Sequence, residues 1–294
     1  MNGLLCIDKP QEMTSFACCA AVRRLTGQRK IGHAGTLDPM ATGVLPLMLG
    51  RSTRAIPLLP SHDKQYRATV RFGYRSDTLD IWGTVTPTHC PPPSLSAIEA
   101  ALPAFRGEIL QVPPMVSALK QNGVRLYELA RQGIEVEREA RPVTIYRLDI
   151  VDYDAVRGEL VLDCACSAGT YIRTLCDDLG DRLGVGAVMT ALCRTAAAGY
   201  TLADCHTLEE LEILAQQGAL ESRILPVDTA FAVYPAVTVT AAQATRFGNG
   251  GALSLDRLGG QTVTGTVRVY APDQVFLGLG TPADDELQVL RLLG

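Results

Sequence analysis

The chain has 294 residues, a length that exceeds one typical small domain and favours a large domain with a smaller one. Apolar residues make up 47% and charged residues 20% of the sequence, values that are typical of globular proteins and exclude intrinsic disorder. The formal net charge is −4, yet residues 1–75 hold eleven Lys or Arg against four acidic residues. Such asymmetry is compatible with a nucleic-acid contact near the N-terminus, although it also arises without one.

Membrane insertion and export are not predicted. No stretch reaches the roughly 18 consecutive apolar residues that a membrane-spanning helix requires. The opening MNGLLCIDKP places Asp8 and Lys9 where a secretory signal has its apolar core, so we expect a cytoplasmic protein. The nine cysteines form no Cys-x-x-Cys pair, which favours small buried thiols over disulfides or a zinc site.

The N-terminal part of the chain is predicted to hold a helix, a long loop and a strand. Thr14-Ser15 is a helix N-cap, and Gly27 ends the apolar stripe that follows it. Residues 28–50 are rich in Gly, Thr and Pro and are interpreted as a loop. Apolar and polar residues alternate over 64–73, which predicts a half-buried strand.

Further helices and strands follow without a regular β-α-β order. A capping box of Ser96 with Glu99 predicts a short helix. Apolar spacing predicts helices at 126–133, 169–184 and 208–218, and strands at 142–152 and 159–166. Because the last of these strands is apolar on both faces, we expect it to lie inside its sheet. The irregular order predicts an α+β fold rather than a doubly wound one.

The residue pattern of the sequence changes after Pro226. Short strand-like runs broken by Gly and Asn replace the mixed pattern. We therefore divide the chain into a large domain, residues 1–231, and a small β-rich domain, residues 232–294.

The most unusual stretch is GHAGTLDPMATGVLPLMLG, residues 32–50, which contains Asp38 but no Lys or Arg. A purely structural interpretation is available, because Asp38 followed by Pro39 is a good helix N-cap with proline at the first helical position. Its glycines fit neither a dinucleotide-binding fingerprint nor a phosphate-binding loop, so no nucleotide cofactor is predicted.

Several motifs together resemble those of the TruB-type tRNA pseudouridine synthases. HAGTLDPMATGVL (33–45) resembles the central motif of that family. Matching segments run nearly end to end and in order: GLLCIDKPQEMTS (3–15), DKQYRATVRFGYRSDTLDIWG (63–83), PPMVSALKQNGVRLYELARQGIEVEREARPV (113–143), CSAGTYIRTLCDDLG (166–180), LCRTAAAGYTL (192–202) and VRVYAPDQVFLGLG (267–280).

The resemblance implies a fold and an activity. The fold would be that of pseudouridine synthases, α+β with a mixed, mainly antiparallel sheet flanked by helices, plus a small C-terminal PUA-like RNA-binding barrel. The activity would be isomerisation of uridine to pseudouridine at position 55 in the T-loop of tRNA, by base flipping. The resemblance further implies a monomeric bacterial enzyme that needs no cofactor, no metal and no obligate protein partner, with the tRNA T-arm as its partner and no membrane contact.

The resemblance assigns Asp38 as the essential carboxylate and Arg173 as its ion-pair partner. An arginine suits this role because its planar fork holds a carboxylate in one geometry and stays charged. Tyr66 matches the family tyrosine that packs on the target base and replaces the stacking that a flipped base loses. Taken alone, Arg173 would be interpreted as a solvated cation at a helix start, and Tyr66 could equally be a core tyrosine.

The remaining site residues are also carried over from the family. Tyr171 and Leu192 correspond to pocket-lining positions, and His33 to the histidine that stacks where the flipped uridine had been. Lys9 and the basic residues near 23–30 are expected to meet phosphates, contacts that position RNA without reading its sequence. Without the resemblance, Leu192 is a core residue and His33 a structural histidine.

Residues 114–142 resemble a mobile thumb that closes over RNA, although a solvated helical hairpin has the same pattern. Three residues depart from the family. Glu12 and Ala198 stand where glycine is common, and Cys193 replaces a frequent arginine. If Glu12 has a positive φ, the strain is about 1–2 kcal/mol.

Two other functions remain open from the sequence. The chain could be a non-catalytic tRNA-binding or tRNA-folding chaperone, or a pseudouridine synthase that acts on another RNA. Intact Asp38, Tyr66 and Arg173 argue against a pure binding module, because binding alone has no use for a buried carboxylate.

Overall fold

Within residues 1–261 and 263–294, which the computed structural model describes, the chain forms eighteen strands and six α-helices. The strands are β1 (Gly3–Lys9), β2 (Ile31–His33), β3 (Thr42–Leu49), β4 (Lys64–Phe72), β5 (Tyr74–Ser76), β6 (Val85–Pro87), β7 (Gly107–Gln111), β8 (Lys120–Gln121), β9 (Val124–Arg125), β10 (Arg141–Asp154), β11 (Glu159–Cys166), β12 (Ala187–Ala197), β13 (Tyr200–Thr201), β14 (Ala236–Thr238), β15 (Leu253–Ser254), β16 (Val267–Tyr270), β17 (Phe276–Ala283) and β18 (Glu286–Leu292). The helices are α1 (Ser15–Thr26), α2 (Leu95–Ala101), α3 (Leu126–Arg131), α4 (Ile172–Arg182), α5 (Leu208–Gln216) and α6 (Ala241–Gly248).

A nine-stranded sheet is the framework of the larger part of the chain. Its main path runs β1-β3-β12-β4-β11-β10-β7, with β2 added to β3 and β13 to β12. Only the β3–β12 pair of this sheet is parallel, and the other pairs are antiparallel. The predicted α+β fold with a mixed, mainly antiparallel sheet is therefore confirmed, and β11 lies inside the sheet as expected.

Helices cover the sheet where its strands present apolar side chains. Helices α2 and α4 pack with β4 and β11 in one core that includes Ile98, Leu175, Val70 and Leu162. Helices α1 and α5 cover β1 and β3 in a second core. Burying such faces, at about 25 cal/mol per Å² of apolar surface, is the main stabilisation of these layers.

The predicted start and stop signals of α1 are confirmed. Thr14 is the N-cap, and its side chain accepts a hydrogen bond from the Ala17 N–H. Gly27 ends the helix with φ +64, the left-handed conformation that glycine adopts without a Cβ penalty. The short helix α2 is also found, but its N-cap is Ser94 rather than Ser96, because Ser94 Oγ accepts from the Ala97 N–H.

The prediction that residues 28–50 form a loop is wrong for much of that stretch, which contains β2 and β3. Strand β3 lies between β1 and β12 and is buried along seven of its eight residues. A strand buried on both faces shows no apolar-polar alternation, so its glycine and proline dominated the sequence pattern. Pro46 is tolerated there opposite Cys6, and its carbonyl accepts from the Ala34 N–H.

A second, five-stranded sheet forms the C-terminal part of the chain. Its strand order is β14-β16-β17-β18-β15, and it curls around a core that contains Val237, Phe247, Val269 and Leu287. The shape is that of a half-barrel, consistent with the predicted PUA-like domain. Leu279 and Leu293 of this part pack against Phe231 and other residues of the larger part.

Two departures from the family pattern lie at strained backbone positions. Glu12 has φ +69 and Ala198 has φ +53, so both occupy the region where glycine is the usual residue. The condition stated for Glu12, a positive φ, therefore holds. No helix among the described residues is long and apolar enough to cross a membrane.

Candidate active site

One cavity of about 320 Å³ gathers most of the residues that the sequence singled out. Asp38, Tyr66, Tyr171, Arg173 and Leu192 all line it. The other lining residues come from the same motifs and from the 114–142 segment: Gly35, Thr36, Leu37, Lys64, Ser117, Ala118, Leu119, Gly169, Thr170 and Ile172.

Two of the lining residues, Asp38 and Arg173, form an ion pair. Arg173 Nη2 lies 3.0 Å from Asp38 Oδ2. The arginine side chain is 3% exposed, whereas the aspartate side chain is 41% exposed. The interpretation of Asp38 as a buried carboxylate is therefore only partly met. One side of the carboxylate faces the guanidinium, and the rest opens to the cavity, where a substrate can reach it.

A second carboxylate, Asp80, holds the same guanidinium and was missed by sequence reasoning. Asp80 Oδ2 lies 3.6 Å from Arg173 Nη1, and the Asp80 side chain is 8% exposed. Arg173 Nη1 also donates to the carbonyl of Thr78 at 2.9 Å. Asp80 Oδ1 in turn accepts from the Thr78 hydroxyl and the Trp82 N–H. The arginine is thus fixed between two acids, and the available signal was the repeated acid in DTLDIWG.

The backbone on both sides of Asp38 is fixed by residues of the opening motif. Ser15 Oγ accepts from the Leu37 N–H at 2.8 Å and lies 3.2 Å from the Leu37 carbonyl. The Lys9 ammonium donates to the Met13 carbonyl at 2.6 Å and to the Pro39 carbonyl at 3.4 Å. These contacts hold the loop that carries the carboxylate.

The structure corrects the prediction that Lys9 meets phosphate. The side chain is fully buried, and its ammonium donates to three backbone carbonyls. Burial also lowers its pKa from the ordinary lysine value. A lysine is assumed to be exposed when only the sequence is known, and three converging carbonyls overturn that assumption here.

The interpretation of Asp38 as a helix N-cap is wrong. The Ala41 N–H donates to the Asp38 carbonyl at 3.1 Å, which closes a turn over Pro39 and Met40. No α-helix lies between Thr26 and Leu95 of the described chain. The carboxylate is therefore free of a capping role.

Tyr66 and Leu192 form the apolar floor of the cavity from neighbouring strands. Leu192 of β12 pairs with Ala68 of β4, and Arg194 pairs with Tyr66. Both Tyr66 and Leu192 belong to the main core yet line the cavity, so each is a core residue and a wall residue at once. Burial raises the pKa of the Tyr66 hydroxyl to about 12, so the phenol is neutral at physiological pH.

Tyr171 immediately precedes α4 and lines the cavity together with Arg173. Its backbone is extended, with φ −102 and ψ 108. The buried amide of Gln111 fixes this backbone at two points, since its Nε2 donates to the Tyr171 carbonyl and its Oε1 accepts from the Tyr171 N–H. Arg173 Nη2 also donates to the carbonyl of Val116 at 2.8 Å. The guanidinium therefore connects the loop that carries Asp38 to the start of the 114–142 segment.

Arg194 holds the loop of residues 34–41 that carries Asp38, called the motif loop below, and was not singled out by the sequence. Its side chain is fully buried and donates to the carbonyls of Gly35, Thr36 and Val44 at 3.2, 3.3 and 2.7 Å. Cys193, which replaces a frequent arginine, is half-buried next to it and pairs with Thr42 of β3.

His33 ends β2 and is half-buried. It does not line the cavity, and its pKa is lowered from the ordinary histidine value by burial and by the charge of Arg194. The ring is therefore neutral at physiological pH. Among the described residues, no group of three or more His, Cys, Asp or Glu side chains could hold a metal ion.

Comparison with known proteins identifies relatives along the whole chain. Residues 23–172 match the family "TruB family pseudouridylate synthase (N terminal domain)", residues 173–232 match "tRNA pseudouridylate synthase B C-terminal domain", and residues 235–293 match "Pseudouridine synthase II TruB, C-terminal".

Full-length relatives and solved structures agree with these matches. The tRNA pseudouridine synthase B of Haemophilus influenzae strain KW20 is 45% identical over 282 residues, which cover 95% of this chain and 89% of the relative. That of Dechloromonas aromatica is 44% identical and covers 96% and 92%. A chain in the crystal structure of a Cbf5–Nop10–Gar1 complex superposes with a TM-score of 0.74 at 23% identity, covering 99% of this chain and 85% of that one. This last likeness shows the fold.

Proposed function

Since the chain belongs to the TruB family of pseudouridine synthases, we propose that its cavity isomerises uridine to pseudouridine at position 55 in the T-loop of tRNA, with Asp38 as the catalytic carboxylate. The observation that supports this most directly is the ion pair of Asp38 with Arg173 in the lining of the cavity. The reaction breaks the N1–C1′ bond, turns the base, and joins C5 to C1′. The C5 proton is lost and N1 gains one, so the product is an isomer.

The target base must leave its stack before the reaction, because the C1′ atom is not accessible inside folded RNA. Tyr66 and Leu192 provide the surface on which the everted uracil lies. Stacking on an aromatic side chain is worth about 1–3 kcal/mol per base, which offsets part of the cost of extraction. A neutral phenol suits this role, because a buried phenolate next to the base would need its own counter-charge.

Asp38 supplies the negative charge that the chemistry needs. A carboxylate in this place can attack carbon or remove a proton, and each action requires its free oxygen to face the substrate. Arg173 binds one side of the carboxylate and Asp80 holds Arg173 from behind. Since the guanidinium is already fixed before RNA arrives, the carboxylate requires little reorganisation during the reaction.

The RNA partner is a tRNA, and we assign the T-arm as the part that enters the cavity. Exposed cations near the N-terminal part of the chain, among them Arg24, Arg29, Lys30, Arg51 and Arg54, offer phosphate contacts. Tyr171 completes the pocket, and His33 fills the place in the T-loop that the base leaves. Residues 114–142 act as a thumb, residues 1–231 form the catalytic domain, and residues 232–294 form a second RNA-binding domain. The enzyme acts in the cytoplasm as a monomer without a protein partner.

The non-catalytic chaperone is disfavoured by the geometry of the acid pair. A binding module for a polyanion gains nothing from two carboxylates, Asp38 and Asp80, placed around one buried guanidinium. A pseudouridine synthase for another RNA would use the same cavity and is separated from the proposed function by its substrate.

Chemical mapping of pseudouridine in an unmodified tRNA transcript tests the proposal. Incubation with the protein is expected to produce one pseudouridine, in the T-loop, and incubation with Asp38→Asn to produce none. An unmodified T-loop uridine after incubation with folded, RNA-bound protein would refute the activity. A pseudouridine elsewhere in the transcript would refute the assigned position.

A further inference from the structure

Lys64 lines the cavity, and Arg194 donates to the carbonyls of the lining residues Gly35 and Thr36. Neither cation has an acidic partner among the described residues. The Lys64 ammonium donates to the carbonyl of His62, and Arg194 donates to three carbonyls. Of the acids in the described ranges, 1–261 and 263–294, none lies within 4.0 Å of the nitrogens of either side chain. The acid closest in sequence, Asp63, accepts a hydrogen bond from the Tyr146 hydroxyl instead.

Gly35 of the motif loop brings these two cations together. A Cβ built at this glycine would lie 3.4 Å from Lys64 Cε and 3.5 Å from Arg194 Nη1. Both side chains therefore touch the same point of the backbone, and Gly35 has φ +124, which a larger residue would adopt only with strain. Lys64 and Arg194 thus form a small positively charged corner next to the motif loop.

Lys64 differs in burial and in hydrogen bonding from Lys9, the buried lysine of the opening motif. Lys9 is fully buried and donates to three carbonyls, whereas Lys64 is half-buried, lines the cavity and makes one hydrogen bond. An ammonium has three donors, so two of those of Lys64 are available to a ligand. Burial and the neighbouring Arg194 lower the pKa of Lys64, as expected for a cation that lacks a counter-ion.

The position of Lys64 relative to the base platform indicates which anion it meets. Lys64 and Tyr66 are two residues apart on β4, so their side chains leave the same face of the sheet about 7 Å apart. A uracil on Tyr66 brings its ribose, and the phosphates on both sides of that ribose, towards the rim of the cavity. Asp38 repels these phosphates, and a nearby cation offsets the repulsion.

We propose that Lys64 binds one of the two phosphates that flank the everted uridine, with Arg194 supplying fixed positive charge behind it. The inference rests on the proposed function, because it requires a nucleotide in the cavity. The contact selects no sequence, and it fixes the sugar-phosphate of the reacting nucleotide so that the base reaches Tyr66 and the sugar reaches Asp38.

A double-mutant cycle between the protein and the RNA backbone tests this contact. The protein arm is Lys64→Met, with Lys64→Gln as a second variant in case the first does not fold. The RNA arm is a T-arm hairpin in which a methylphosphonate removes the charge of the phosphate on the 5′ or on the 3′ side of the target uridine. Affinity is measured for all combinations at fixed salt, and thermal unfolding confirms that each variant is folded.

We expect one of the two methylphosphonates to weaken binding to the unaltered protein several-fold and to leave binding to Lys64→Met unchanged. Lys64→Met should also reduce the slope of log affinity against log salt by about one, and Lys64→Arg should keep it. The matched control is Arg67→Met, which removes one charge from the same strand on the opposite, exposed face, where Arg67 pairs with Asp163. The effect of Arg67→Met on affinity should be additive with that of each methylphosphonate.

The proposal would be overturned if the effects of Lys64→Met and of each methylphosphonate on affinity were additive. It would also be overturned if neither methylphosphonate weakened binding to the unaltered protein. These outcomes are distinct from failure of the proposed function, which is detected separately as the absence of pseudouridine in hairpin treated with unaltered protein. If Arg67→Met reduced the slope of log affinity against log salt as much as Lys64→Met does, the effect would be one of net charge, and the proposed contact would also be overturned.

Discussion

Two buried arginines that hold the loop carrying Asp38 have different electrostatic surroundings. Arg173 lies between Asp38 and Asp80, with nitrogen–oxygen distances of 3.0 and 3.6 Å. Arg194 is buried at least as deeply but donates to backbone carbonyls, and no described acid lies within 4.0 Å of it. The comparison teaches that one guanidinium holds the Asp38 carboxylate, whereas the other holds the loop that carries it.

Replacing Arg173 should have the largest effect of the variants that probe this comparison. Arg173→Met leaves Asp38 and Asp80 close to each other without their cation, and removing one partner of a buried ion pair costs about 3–5 kcal/mol. We expect that loss in the free energy of unfolding, measured in urea, together with loss of turnover. Arg182→Met, an exposed position on the same helix, is the control and should change neither. An Arg173→Met variant as stable as the unaltered protein would contradict the role of the pair.

Asp80→Asn separates the positioning of Arg173 from the chemistry of Asp38. Arg173 keeps its contacts with Asp38 and with the Thr78 carbonyl, but loses the charge that holds it from behind. We expect the single-turnover rate to fall on the order of 10–100-fold, with RNA affinity unchanged. If the affinity falls and the rate does not, Asp80 acts in binding and the positioning role is wrong.

Arg194→Met should destabilise the protein less than Arg173→Met. The change leaves the carbonyls of Gly35, Thr36 and Val44 without their donor but strands no buried carboxylate. Unsatisfied buried groups of this kind cost about 1–3 kcal/mol each. Arg173→Met leaves two such carbonyls of its own, those of Thr78 and Val116, in addition to the two carboxylates, so its total loss is larger. Urea unfolding of both variants under one condition measures the difference. An equal or larger loss for Arg194→Met would remove the distinction between the two arginines.

The smallest effect is expected at a position away from both arginines. Glu12 has φ +69, and its N–H donates to the Pro39 carbonyl, so the strained residue helps to hold the loop after Asp38. Glu12→Gly should relieve about 1 kcal/mol of strain and raise the unfolding midpoint slightly. Glu99→Gly, at an exposed position of α2, is the control and should lower stability by a similar amount. A destabilised Glu12→Gly variant would show that the side chain, not the backbone, matters there.

The sequence predicted the elements whose signals are local. The N-cap at Thr14, the end of α1 at Gly27 and the alternating strand β4 depend on residues close in the chain, and all three were found. Residues 42–49 were predicted to be part of a loop but form strand β3. A strand that is buried on both faces shows no apolar-polar alternation by which the sequence could reveal it. The pairing of Asp38 with Arg173 was anticipated through family resemblance, not through spacing.

Three features of the site depend on contacts that no local pattern reports. Asp80 reaches Arg173 because its segment bridges to Met189 on β12, a contact between residues more than a hundred positions apart. Lys9 is buried because carbonyls from two separate loop segments converge on its ammonium. Arg194 likewise meets carbonyls of the motif loop from a distant strand. Tertiary contacts overrode the default that charged side chains face water.

The most direct test of the central claim uses Asp38→Asn and a T-arm transcript that contains 5-tritiated uridine. Tritium leaves C5 only when the base is rejoined through that atom, so its release reports the chemical step. The variant should release tritium at a rate lower by about 10⁴-fold or more while binding the transcript with nearly unchanged affinity. Asp63→Asn, an exposed acid outside the cavity lining, should release it at the normal rate. Normal release by Asp38→Asn would contradict the account.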